Sequence, residues 1–155
     1  MVIGPTVYGS AEAAWEIRKS LYEYAKSVGG GYEFGLRARY VVDLPQRRSF
    51  CPDVSWYTGD PPTSEVLPGA PVFAVEVRDP GEYGDEAEGR MAAKRADYFA
   101  AGTLVVWDVD VLREGWIRVY HAHDPENATV FHRGEIAAAE PAVPGWRFPV
   151  DELFD

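Results

Sequence analysis

The chain has 155 residues, of which 46% are hydrophobic and 14% aromatic, enough for one buried core and a single domain over residues 1–155. Its formal net charge of -10 at pH 7 argues against a protein that binds nucleic acid over its whole surface. The one cysteine, Cys51, excludes an intrachain disulfide framework, fits a reducing cytoplasm and is predicted to be a small buried hydrophobe.

The N-terminal part of the chain predicts a helix. Met1 to Ser10 shows no basic region followed by an apolar run, so no secretory signal is expected. No apolar stretch approaches the length needed to span a membrane. Ser10 is placed to cap a helix that runs to about Val28 and is stopped by Gly29–Gly31. Its buried stripe is predicted to consist of Ile17, Leu21, Tyr24 and Val28.

The segment Phe34 to Leu44 alternates between apolar and polar residues and predicts the first strand. Four arginines make this the most basic part of an acidic chain, and they could meet phosphates. A solvated strand face is an equally good interpretation of the same pattern. These residues are Arg37, Arg39, Arg47 and Arg48.

Two further strands each carry a carboxylate. Asp53 follows a proline and precedes the alternating run Val54–Tyr57, which places it at the start of a strand. The run Val72–Arg78 is apolar and rich in β-branched residues, as is typical of a central strand. Its alternation places Glu76 and Arg78 on the same face. Between the two strands, the proline-rich and glycine-rich segment from 59 to 71 predicts a loop.

If these two strands pair, Asp53 and Glu76 meet at one end of the sheet. Two carboxylates held that close repel each other unless a cation lies between them, and magnesium needs only one or two protein carboxylates. The alternative is that Asp53 caps a turn and that Glu76 pairs with Arg78 or another cation. Spacing alone does not separate the two interpretations.

A second helix is predicted from about Asp85 to Ala101, with acidic residues in its first turn and Gly102 just past its end. Lys94 lies near the centre of the stripe expected to face the sheet. A lysine there either reaches solvent along the core or pairs with an acid such as Glu76. The predicted stripe consists of Ala87, Met91 and Tyr98.

Strands are predicted again at Leu104–Val109, Trp116–His121 and Ala128–His132. Asp108 and Asp110 fall on one face and are interpreted mainly as strand-end and turn residues. The elements together predict an α/β fold, with a central mixed sheet flanked by helices and additional C-terminal strands.

The combination of these motifs resembles a known family. Pro52-Asp53, then Glu76-Val77-Arg78, then the helix from Lys94 to Gly102 leading into Val105–Asp110, is similar to the Uma-two family of restriction-endonuclease-type proteins. That family belongs to the PD-(D/E)XK nuclease superfamily. The resemblance implies a restriction-endonuclease-like core. Arg78 stands where the superfamily motif has its lysine, and Asp79 where the family usually has a serine.

The resemblance also implies roles for individual residues. Asp53 and Glu76 would be the metal-binding acids, with the carbonyl of Val77 as a further ligand, and Lys94 would be the catalytic lysine, moved from the strand to the helix. Mg²⁺ or Mn²⁺ would be the cofactor and DNA the substrate. Arg78 would be an accessory group on the phosphate. Superfamily members often add an acid from the first helix, which would here be Glu16 or Glu23.

The function predicted from the sequence is therefore a metal-dependent endonuclease that hydrolyses DNA. The alternative is a nuclease-fold binding or interaction module without turnover, which the acidic charge and Arg78 favour. A two-fold homodimer would cut both strands of a duplex most simply. Its predicted contact surface consists of C-terminal aromatic residues that could also be core: Trp116, Tyr120, Phe131, Trp146 and Phe148.

Overall fold

The computed structural model describes residues 5–154, with side chains from Gly9 onward. Residues 1–4, on which part of the secretory-signal prediction rests, lie outside this range. Within it there are two α-helices, α1 (Pro5–Val28) and α2 (Asp85–Ala101), and a short 3₁₀ helix at Val150–Phe154. None of these described helices is long and apolar enough to cross a membrane.

The strands are short and occur throughout the chain. In chain order they are β1 (Tyr32–Phe34), β2 (Arg39–Leu44), β3 (Arg47–Phe50), β4 (Val54–Tyr57), β5 (Val66–Pro68), β6 (Phe73–Val77), β7 (Val105–Asp110), β8 (Trp116–His121), β9 (Asp124–His132), β10 (Ile136–Ala138) and β11 (Arg147–Pro149).

A six-stranded sheet with the order β1-β4-β6-β7-β8-β9 forms the centre of the fold. Only β6 and β7 pair in parallel, and the other neighbours in this described sheet are antiparallel. Parallel neighbours need a crossover, and α2 supplies it between β6 and β7. The predicted α/β fold with a mixed central sheet and additional C-terminal strands is thus confirmed.

The two faces of the central sheet are covered by different helices. One face packs against α1 and the C-terminal segment, through buried residues such as Ile17, Trp107 and Phe148. The other face packs against α2 and the sheet β3-β2-β5, through residues such as Tyr40 and Tyr98. The side chains of β6 therefore alternate between two cores, as a central strand requires.

The first helix begins earlier than the sequence predicts. It starts at Pro5, so the prediction that Ser10 caps it is wrong: the buried Ser10 hydroxyl donates instead to the carbonyl of Arg78, at 2.9 Å. The end at Val28 is confirmed, and Gly29 follows with a φ of 73°. Ile17 and Leu21 are buried as predicted, whereas Val28, at the end of the helix, is 55% exposed.

Three other predictions are corrected. The strand Phe34–Leu44 is two strands, because a turn closed by Ala38 N–H on the Gly35 carbonyl separates β1 from β2. The predicted loop from 59 to 71 contains β5, which pairs with β2 in parallel. Cys51 is exposed, since it lies in the connection between β3 and β4 rather than within a packed strand.

The C-terminal aromatic residues belong mainly to the interior. Trp116, Tyr120, Trp146 and Phe148 are all buried, and Phe131 is partly buried. Trp146 stacks on Trp107 with ring centroids 5.0 Å apart. Of the two interpretations of these side chains, the structure therefore supports the core, because most of their apolar area is already used within the fold.

Candidate active site

Asp53 lies at the entrance of β4, next to the end of β6. Strands β4 and β6 are antiparallel with Val54 opposite Val75, and the same register continued by one residue places Asp53 beside Glu76. The Asp53 Oδ2 accepts a hydrogen bond of 2.7 Å from the backbone N–H of Val77. This bond holds the carboxylate of Asp53 against β6, the strand that carries Glu76.

Glu76 points to the face of the sheet covered by α2. Its Oε2 lies 3.0 Å from Lys94 Nζ and accepts a 2.7 Å hydrogen bond from the Tyr98 hydroxyl. Lys94 and Tyr98 are four residues apart on α2 and so share one face of the helix. The lysine predicted to face the sheet thus ends at Glu76, where it forms an ion pair.

Burial and mutual repulsion both act on the two carboxylates. Burial, followed by the charge of Glu76, raises the pKa of Asp53 to about 7, although the hydrogen bond from Val77 and the charge of Lys94 oppose this. Burial also raises the pKa of Glu76, against the opposing effect of Lys94 and Tyr98. The single amine therefore does not compensate for both acids, and a further cation would favour their ionised forms.

Arg78 lies on the predicted face, but its ion pairs are with Asp108 and Glu88 and not with Glu76. Its guanidinium donates to both oxygens of Asp108 at 2.9 and 2.7 Å, to both oxygens of Glu88 at 2.5 and 3.0 Å, and to the carbonyl of Glu82 at 3.0 Å. Only 1% of the side chain is exposed. These contacts use every direction in which an arginine donates, so the structure does not bring Arg78 to a substrate phosphate.

The two acids of the first helix lie away from the carboxylate pair. Helix α1 packs on the face of the sheet opposite to α2 and Glu76. Glu16 forms an ion pair with Lys19 at 3.1 Å, and Glu23 with Lys26 at 3.5 Å. Among the contacts of residues 9–154, nothing joins either acid to Asp53 or Glu76, and both lie along the helix surface.

Three of the four arginines in the most basic segment lie beside acids. Arg37 lies 3.6 Å from Glu65, Arg48 lies 2.6 Å from Asp43, and Arg47 lies 2.7 Å from Asp97. This arrangement favours a solvated, paired surface over an uncompensated phosphate-binding surface. Asp110 has the turn role expected of it, since it accepts hydrogen bonds from the backbone N–H groups of residues 112, 113 and 115.

Two residues have clear roles that the sequence interpretation misses. Tyr98 is predicted only as part of the buried stripe, although its spacing from Lys94 indicates that both side chains reach the same acid. Asp108 is predicted to be a strand-end residue, yet it is 2% exposed and binds Arg78. The parallel register pairs Asp108 with Glu76, and no local sequence signal specifies such a register.

The donor set suits a hard divalent ion. Among residues 9–154 there is no group of three or more His, Cys, Asp or Glu side chains that could hold a metal ion, so an ion at Asp53 and Glu76 would take most of its ligands from water. Two carboxylates are enough for magnesium or manganese, which retain several waters. The adjoining cavity, lined by residues that include Glu76, Lys94 and Asp108, has a volume of about 40 Å³, enough for a few waters.

The comparisons with known proteins identify a family and a fold. The model of a family named Uma2, described as "Putative restriction endonuclease", matches residues 9–151. One similar crystal structure is that of a putative nuclease belonging to DUF820 from Anabaena variabilis, with a TM-score of 0.76 and 16% identity. The match covers 99% of this chain and 82% of that chain, and at this identity it shows the fold. No match was found among curated proteins.

Proposed function

The chain belongs to the Uma2 family, and from this premise we propose that it is a divalent-metal-dependent endonuclease that hydrolyses phosphodiester bonds in DNA. The observation that carries the proposal is the convergence of three groups. Asp53 and Glu76 lie side by side at the ends of β4 and β6, and Lys94 reaches Glu76 from α2 at 3.0 Å. Two acids can hold a divalent ion and an amine can stabilise developing negative charge, and both suit metal-assisted phosphodiester hydrolysis.

Asp53 and Glu76 would hold Mg²⁺ or Mn²⁺, with the carbonyl of Val77 as an additional ligand. When bound, the ion would supply charge neutralisation at the scissile phosphate and a more acidic bound water. The hydrogen bond from Val77 N–H to Asp53 fixes that carboxylate on the strand that carries Glu76. The raised pKa values of both acids describe a pair that is poorly compensated without such a cation.

Lys94 would act on the attacking water and on the charge that develops in the transition state. Its side chain, 31% exposed and beside Glu76, is near enough to the carboxylates to orient a water held between them. It would also stabilise the added negative charge of the phosphorane-like transition state. Arg78 has no part in this proposal, because its guanidinium is occupied by Asp108 and Glu88.

DNA as the substrate and a homodimer as the working unit are further parts of the proposal. Duplex DNA has two antiparallel strands, so a two-fold pair of identical chains would present one site to each strand. Because the net charge is -10, the chain as a whole repels DNA. The substrate would therefore bind only at the site itself, where the metal ion offsets the charge of the acids around Glu76.

The test is cleavage of supercoiled plasmid, linear duplex and single-stranded DNA with Mg²⁺, with Mn²⁺ and with EDTA. We expect metal-dependent nicking or cutting that Asp53→Ala abolishes and that Asp60→Ala, a change in an exposed loop, leaves intact. Calorimetric titration with Mn²⁺ is run on the same samples. Metal binding without cleavage of any substrate would favour the binding module, whereas absence of metal binding would refute the metal site itself.

A further inference from the structure

We propose that Tyr98 is the positioning residue for Glu76: its hydroxyl, together with Lys94, holds one carboxylate oxygen and leaves the other for the metal ion. This inference rests on the proposed function and deepens it. It concerns the orientation of a ligand and not the reacting atoms. Tyr98 is a residue to which the family resemblance assigns no role.

The position of the Tyr98 hydroxyl is fixed by packing. The side chain is fully buried, and its ring stacks on Phe50 with centroids 4.0 Å apart and an interplanar angle of 14°. A buried hydroxyl without a partner is costly, so its hydrogen bond is strongly retained. The partner is Glu76 Oε2, at 2.7 Å. The ring therefore forms a rigid connection between the α2–β3 core and the carboxylate.

Both donors to Glu76 end on the same oxygen. Lys94 Nζ lies 3.0 Å from Oε2, the atom that also accepts the Tyr98 hydrogen bond. Among residues 9–154, no hydrogen bond ends on Oε1, and the closest approach of Lys94 is to Oε2. The one buried side-chain polar atom without a partner in this part of the chain is Thr103 Oγ1, so Oε1 is not fully buried, and Glu76 lines the cavity. A carboxylate held in this way presents a free oxygen in a fixed direction.

The two donors contribute differently because only one of them is charged. Lys94 repels a cation and is 31% exposed, so it has room to move when an ion binds. The Tyr98 hydroxyl is neutral and buried, so it can keep its bond to Oε2 in the metal-bound state. Groups that hydrogen-bond a metal-ligating carboxylate typically change metal affinity by about 10-fold to 100-fold when removed.

Tyr40 provides a matched control in the same core. Its ring is also fully buried, and its hydroxyl makes a 2.8 Å hydrogen bond, but to Ser55 Oγ and not to an acid. Tyr40→Phe and Tyr98→Phe each remove one buried hydroxyl from one apolar cluster. If the Tyr98 hydroxyl only stabilises the fold, the two variants should bind metal equally well. If it positions Glu76, Tyr98→Phe should bind metal more weakly than Tyr40→Phe.

Titration of the purified, folded chain with Mn²⁺ by calorimetry tests the inference. We expect Tyr98→Phe to bind the ion about 10-fold to 100-fold more weakly than the wild type, and Tyr40→Phe to bind it as the wild type does. Cleavage by Tyr98→Phe should recover as Mn²⁺ is raised. Equal affinity of Tyr98→Phe and wild type would overturn the positioning role while leaving the proposed function standing.

A second measurement does not depend on any variant folding. In wild-type crystals soaked with Mn²⁺, we expect the ion on Glu76 Oε1 while the Tyr98 hydroxyl remains on Oε2. An ion on Oε2 with Tyr98 displaced would overturn the inference. A wild-type chain that binds no Mn²⁺ in solution would refute the proposed function, and the inference with it.

Discussion

Replacing Asp53 by asparagine should stabilise the metal-free protein at alkaline pH. The variant removes a charge whose ionisation the fold disfavours, while the amide oxygen can still accept the hydrogen bond from Val77 N–H. In the native state burial, with the charge of Glu76, raises the pKa of Asp53 from 3.8 to about 7. The native state therefore binds a proton more tightly than the unfolded chain does.

The sign and size of the effect follow from linkage. Below the unfolded-state pKa both states are protonated and the group has no effect; as the pH rises toward the native-state pKa, stability is lost. The full shift corresponds to about 4 kcal/mol at about 1.4 kcal/mol per pKa unit. Because Asp53 is only half-buried by surface area, we expect about 2 kcal/mol of extra stability for the variant at about pH 8.

The assay is urea denaturation in EDTA at about pH 4 and about pH 8. Asp53→Asn should match the wild type at the lower pH and exceed it at the higher one. Asp60→Asn, in an exposed loop, is the control and should show no such pH-dependent difference. Saturating Mg²⁺ should then stabilise the wild type more than the variant. A variant less stable than the wild type at about pH 8 would refute the electrostatic argument.

Three further changes have defined outcomes. Arg78→Lys should lower the free energy of unfolding by about 3 kcal/mol in the same urea assay, because an ammonium cannot reproduce the paired contacts to Asp108; unchanged stability would contradict this. Lys94→Met should lower the DNA cleavage rate by roughly 100-fold and leave calorimetric Mn²⁺ binding in place, so near-normal turnover would exclude a catalytic lysine. Gly31→Ala should destabilise the fold by several kcal/mol, about 3 or more, because Gly31 has a φ of 86° and the new Cβ would lie 1.9 Å from Trp56; a shift in Tm below about 2 °C would be inconsistent with that clash.

The part of the site that the sequence predicts depends on short-range periodicity. Strand alternation places Glu76 on one face of β6, and helical spacing turns Lys94 toward the sheet, so the sequence pattern alone orients each side chain. The bounds of α2 follow from acidic residues at its start and a glycine at its end. Gly102 does adopt the left-handed conformation, with a φ of 113°.

The part of the site that the sequence does not predict depends on strand register and on contacts between residues that are far apart in the chain. Alternation places Arg78 on the correct face, but its partner Asp108 lies 30 residues away on β7. Nothing in the local pattern specifies the parallel register of β6 and β7. The predicted start of α1 is wrong for a related reason. Serine favours helix caps, but Ser10 donates a tertiary hydrogen bond to the carbonyl of Arg78 instead.

The same register explains why the proposed catalytic cation lies on a helix. The pairing of Glu76 with Asp108 puts two acids side by side on one face of the sheet, and Asp108 is nearly inaccessible to solvent. A buried carboxylate pair is well served by a permanent cation that donates from several directions, and the fork of an arginine does this for both oxygens of Asp108. Arg78 pairs with Asp108 and is itself buried by that pairing. The amine near Glu76 comes instead from the element that covers this face, since the residue of α2 one turn before Tyr98 is Lys94.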